Sequence, residues 1–128
     1  MRKLKILLVD DEKDFRKIMK VRILSWEFVE HVLTAKNGER GIDAVKKEEP
    51  DLIILDYMMP GINGVETLKR IRKFNKDIPV VMFTAYPNKK SMEITEKLNI
   101  TAFVPKWSEV NDIEKSLKTV VDSIARRG

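Results

Sequence analysis

The chain contains no cysteine, a single histidine and no long apolar run. Each absence removes a class of chemistry. Without cysteine there are no disulfides, thiolate zinc sites, iron–sulfur clusters or thiol nucleophiles, and a cytoplasmic location is the expectation. The lone histidine, His31, excludes a His-rich metal centre and a His–His acid/base pair. A membrane-spanning helix needs about 20 apolar residues, and the runs here end after a few. The opening stretch carries basic residues ahead of an apolar run, but acids at Asp10 and Asp11 interrupt it too soon for a secretory leader. What is present suits one folded unit: 128 residues, 43% hydrophobic and 35% charged, enough apolar content for a core. The expectation is a single domain over residues 1–128. With 25 basic against 20 acidic side chains the net charge is +5, which permits a nucleic acid or an acidic protein surface as partner without deciding for either.

Short apolar runs at 4–9, 52–55 and 78–83 read as buried strands, with weaker ones at Val32-Leu33 and 102–104. Strands that are apolar on both faces suggest a parallel sheet covered on both sides. Between them lie helical spacings: Phe15, Ile18, Met19, Ile23 and Trp26; Ile42 and Val45; Val65, Leu68 and Ile71; Met92, Ile94 and Leu98; and Ile113, Leu117, Val120, Val121 and Ile124. Turn-forming pairs, Asn37-Gly38, Pro60-Gly61, Asn63-Gly64 and Pro87-Asn88, stand between these segments. Strand and helix therefore alternate five times, the pattern of an α/β fold with right-handed crossovers.

In such sheets ligands bind beyond the carboxyl ends of the strands. The first strand is followed there by Asp10, Asp11 and Glu12, the third by Asp56, the fourth by Thr84 and the fifth by Lys106. Taken singly these are ordinary: an acidic helix start, a turn residue, a capping hydroxyl, a surface lysine. Together they are not, because several carboxylates at one edge repel one another unless a cation joins them. A donor set of oxygen alone selects Mg²⁺, Mn²⁺ or Ca²⁺. A lysine and a hydroxyl beside such an ion can hold phosphoryl oxygens, so the chemistry suggested is phosphoryl transfer with a carboxylate nucleophile.

Val9-Asp10-Asp11-Glu12, Leu55-Asp56-Tyr57-Met58-Met59-Pro60-Gly61, Gly64, Thr84-Ala85, and Lys106 after Ala102-Phe103 stand in this order within residues 4–125. In this the chain resembles a response-regulator receiver domain. The resemblance implies a flavodoxin-like, doubly wound sheet of five parallel strands in the order 2-1-3-4-5, with five helices. It implies a phosphoacceptor role for Asp56, with Thr84 and Lys106 contacting the phosphoryl group. Mg²⁺, or Mn²⁺ in its place, would be held by Asp11 and Asp56, by Asp10 mainly through water, and by the Met58 backbone carbonyl. The donor would be a histidine kinase or histidine phosphotransfer protein. The output would be a two-state change at Thr84 and Phe103, acting on a downstream protein through the last strand and last two helices. On this reading the chain is a signalling switch rather than an enzyme, either a monomer or a weak dimer when phosphorylated.

The chain departs from the family at Trp107, where proline commonly follows the strand-5 lysine, and a cis bond there would cost about 3–4 kcal/mol. Trp107 is read as packing over that loop or as an interface anchor. Thr101-Ala102 lacks the family's usual glycine. Bulky Met58 and Tyr86 flank the phosphoacceptor, so slow self-dephosphorylation is expected. A haloacid-dehalogenase-type phosphatase would need a second acid where Met58 stands. A receiver that cannot be phosphorylated would lack one of Asp11, Asp56 or Lys106. Lys69, Arg70, Arg72, Lys73 and Lys76 form the densest basic patch, read as a solvated helix face rather than a nucleic-acid site.

Overall fold

A computed structural model describes residues 3–85, 88–106 and 109–127. In chain order the elements are β1 (Leu4–Val9), α1 (Lys13–Leu24), β2 (Val29–Ala35), α2 (Gly38–Glu48), β3 (Leu52–Asp56), α3 (Gly64–Arg72), β4 (Val80–Thr84), α4 (Lys89–Lys97), β5 (Ala102–Pro105) and α5 (Val110–Arg127). All strand pairs are parallel and the order across the sheet is β2-β1-β3-β4-β5. This is the doubly wound, flavodoxin-like arrangement implied above. The order reverses direction between β1 and β3, which places the ligand-binding crevice of such folds at the carboxyl ends of these two strands.

Strand periodicity explains the two layers. Leu4, Ile6 and Leu8 of β1, with Leu52 and Ile54 of β3, face Met19 and Ile23 of α1 and Ile113, Leu117, Val121 and Ile124 of α5. The alternate residues Leu7, Val9, Ile53 and Leu55 face Ile42 and Val45 of α2 and Leu68 and Ile71 of α3. β3 is buried along its whole length, so it can carry no polar side chain except where its end meets a site. Asp56 stands at that end.

Several elements differ from their sequence signals. α1 stops at Leu24, so Trp26 lies beyond the helix, although it is buried and donates its indole N–H to Glu114 of α5 at 3.1 Å. Ile18 is exposed rather than part of the buried stripe. β2 is longer than Val32-Leu33 because it is an edge strand, and Glu30 and His31 within it face outward. β4 begins at Val80 and continues through Thr84. β5 extends through Pro105, which an edge position tolerates. In α4 the inward residues are Ser91 and Thr95, and Met92 is exposed. Those hydroxyls donate to carbonyls of their own turn, Ser91 to Asn88 at 3.0 Å and Thr95 to Ser91 at 2.9 Å. A polar face can therefore sit inward without an unmet hydrogen bond. Arg72, counted above in the basic patch, turns inward and donates to the carbonyls of Leu98 and Asn99 at 2.8 and 3.0 Å. The readings made for Tyr86, Pro87 and Trp107, including the Lys106–Trp107 peptide, lie outside the described residues.

Candidate functional site

Register brings the polar residues together. Val9 pairs with Leu55, Asp56 with Phe83, and Thr84 with Pro105. The residues at or just past these strand ends, Asp10, Asp56, Thr84 and Lys106, therefore occupy neighbouring positions along one edge. Backbone bonds hold them there. Asp10 donates its N–H to Ala35, Tyr57 to Phe83, and Lys106 to Thr84, at 3.1, 2.9 and 2.6 Å. The last of these ties the lysine to the threonine through the main chain.

Gly64, the first residue of α3, is required by the same packing. A Cβ there would lie 2.5 Å from the Asp56 carbonyl oxygen and 2.8 Å from the Tyr57 Cα. The Gly64 N–H instead donates to the Tyr57 carbonyl at 2.8 Å, so α3 starts directly behind the acid. Asn63 caps that start by accepting from the Glu66 N–H at 2.9 Å.

Asp10, Asp11 and Asp56 each offer a carboxylate oxygen within 4.8 Å of the others. Asp10 and Asp56 are buried and Asp11 is exposed, so two acids are fixed in the protein and one opens to solvent. Lys106 reaches into the group. Its Nζ lies 2.9 Å from Asp10 Oδ2, 2.9 Å from Glu12 Oε1 and 3.7 Å from Asp56 Oδ2. The ammonium also rests over the rings of Phe15, at 4.4 Å, and Phe83, at 5.3 Å. Those two rings stack at 5.8 Å.

One ammonium does not balance this many acids. Burial, and then the charge of Asp10, push the Asp56 carboxyl up to about 7, although Lys106 and the Met58 N–H act to lower it. Burial likewise raises Asp10 against the hydrogen bonds from Lys106 and the Glu12 N–H. For Lys106 burial alone would lower the pKa, but hydrogen bonds to Glu12 and Asp10 outweigh it and leave the pKa raised. The pocket is thus overloaded with negative charge and built from oxygen donors, a set suited to a hard dication such as Mg²⁺.

Of the residues singled out from sequence, Asp10, Asp11, Asp56 and Lys106 converge. Met58 follows two residues after Asp56 and is 59% exposed. Thr84 is buried at the end of β4. Phe103 is half-buried on β5 and packs with the layer that holds α2 and α3. The sequence reading missed the partnership of Glu12 with Lys106 and the seat formed by Phe15 and Phe83. Its one signal was the run of three acids, longer than a helix start requires.

Residues 6–118 match the family model for the response regulator receiver domain. The chain is 34% identical over 122 residues to a protein-glutamate methylesterase/protein-glutamine glutaminase of Trichodesmium erythraeum, a match covering 94% of this chain and 35% of that protein. It is 32% identical over 114 residues to sporulation initiation phosphotransferase F of Bacillus subtilis, covering 89% of this chain and 90% of that protein. The chain thus spans about a third of the first relative and most of the second. The solved response regulator domain of Thermotoga maritima CheB has the same fold, with a TM-score of 0.84 at 24% identity, over 96% of this chain and 97% of that one.

Proposed function

The chain belongs to the response regulator receiver domain family, and from that membership we propose that Asp56 accepts a phosphoryl group from a phosphohistidine on a histidine kinase or phosphotransfer protein. The observation that carries this reading is the convergence of Asp10, Asp11 and Asp56 within 4.8 Å, with the Lys106 ammonium among them. In the transfer, a carboxylate oxygen of Asp56 forms a bond to phosphorus as the phosphorus–nitrogen bond of the donor breaks. The imidazole nitrogen keeps the electron pair.

The donor set fits one divalent ion, which Asp11, Asp56 and the Met58 carbonyl would hold, with Asp10 acting mainly through water. Mg²⁺ bound there would neutralise charge on the oxygens of the entering group. The side chains do the rest. Asp56 presents the nucleophile from a rigid strand end, and its carboxyl must be ionised to attack. Lys106 supplies a cation to a second phosphoryl oxygen, and the Thr84 hydroxyl donates to a third. The Thr84 side chain moves toward the bound group, while the Lys106 N–H bond to the Thr84 carbonyl keeps the two strand ends together. Phe103, half-buried beside them on β5, then repacks, and the surface formed by β5, α4 and α5 changes for a downstream protein.

The chain so described is a cytoplasmic switch whose only catalysis is its own modification. Met58 shields the acyl phosphate, so its loss is slow, and Met58→Asn speeds that loss several-fold in a phosphate-release assay. The direct test is incubation with a small phosphodonor and Mg²⁺, followed by intact-mass measurement. One added phosphoryl group on the wild type and none on Asp56→Asn supports the reading, and an unmodified wild type refutes it.

A further inference from the structure

Glu12 stands at the N-cap of α1, yet its side chain makes no capping hydrogen bond. It is 63% exposed and nonetheless directs Oε1 at Lys106 Nζ, 2.9 Å away. Lys106, at 12% exposure, is held by two hydrogen bonds, to Glu12 and Asp10, and lies 3.7 Å from Asp56, beyond good hydrogen-bond length. The rings of Phe15 and Phe83 complete the seat. Three of its four walls come from the end of β1 and the start of α1: Asp10 and Glu12 from the joining segment and Phe15 from the first turn of the helix.

We propose that Glu12 is a positioning residue that parks Lys106 in this seat at rest and competes with the phosphoryl group for it during transfer. The proposal rests on the phosphoacceptor reading above. Its physical ground is that Asp10 and Glu12 differ in what they can do once a dication binds. Asp10 belongs to the cluster that can hold the ion, so its pull on Lys106 weakens. Glu12 lies outside that cluster, does not share its oxygens with the ion, and so becomes the main hold on the ammonium. The lysine must leave it to close on phosphoryl oxygen. Solvent around the exposed glutamate limits the hold, so the competition is worth a factor of a few in rate rather than orders of magnitude.

The test uses the whole chain and its Glu12→Gln and Glu12→Ala variants, both at a surface position that does not threaten folding. In metal-free protein, the proton-detected ¹⁵N signal of the Lys106 ammonium, assigned by its absence in Lys106→Arg, reports the seat without any reaction. The wild type shows a protected signal and both variants lose it or broaden it. At saturating Mg²⁺ and small phosphodonor, the variants are phosphorylated about threefold faster in the turnover term, with the concentration dependence on donor little changed. A signal equal in wild type and variants, or absent from the wild type, overturns the seat. Loss of the signal with an unchanged or slower rate overturns the competition alone. A wild type that takes no phosphoryl group sinks the phosphoacceptor reading, and the proposal with it.

Discussion

Asp56 shows how a single residue is made reactive by its surroundings. Its carboxyl stands at about 7 against an ordinary 3.8, mainly because it is buried and then because Asp10 is beside it. A raised folded-state value stabilises the fold below the unfolded pKa, and that contribution is lost as pH rises through the folded one. In metal-free protein this group therefore costs stability between about pH 4 and pH 8, up to roughly 4 kcal/mol for a shift of that size. Chemical denaturation across this range is expected to show Asp56→Asn more stable than the wild type at pH 8, with the difference vanishing near pH 4. Equal stability of the two at pH 8 would contradict the strain. The identity of these acids was legible in the sequence, because each follows an apolar run that ends abruptly. The seat of Lys106 was not, since it depends on which acceptor a flexible four-carbon stem finds in space, and Glu12 looked like a helix start.

At the scale of elements, the site is held by how α3 and β3 meet. The Asn63-Gly64 pair read as a turn, and its full meaning, a capping asparagine followed by a glycine pressed against the Asp56 backbone, needed the structure. Gly64→Ala puts a methyl group against main-chain atoms that no side-chain rotation can clear. It is expected to destabilise the fold by about 1–3 kcal/mol and to slow phosphorylation beyond what the lost stability explains. Thermal melts alongside initial rates measured well below the melting temperature separate the two effects, and an unaltered melt would contradict the packing. α1, α3 and α5 announced themselves through apolar spacing. α4 was legible only through the poorer spacing of Met92, Ile94 and Leu98, and its inward face was not, because Ser91 and Thr95 satisfy themselves within the helix and carry no hydrophobic signal. Element ends shifted where a cap or an edge position, rather than apolar content, decided them, as at Trp26, Val29 and Pro105.

For the molecule as a whole, alternation of five strands with five helices was enough to reach the fold class, and the motif order reached the strand order through resemblance. What the whole sheet adds is the placement of β1 beside β3 at the reversal of strand order, so that acids 45 residues apart or more in sequence bring carboxylate oxygens within 4.8 Å of one another. The densest basic patch contributes less free charge than its sequence suggested, because Arg72 is committed to carbonyls at the end of α4. Titration of the chain with Mn²⁺, followed by the electron paramagnetic resonance of the free ion, reads this shared site most directly. One ion bound per chain, displaced by Mg²⁺ and greatly weakened in both Asp11→Asn and Asp56→Asn, is the predicted result. Binding that ignores either substitution, or no binding to the wild type, would contradict it.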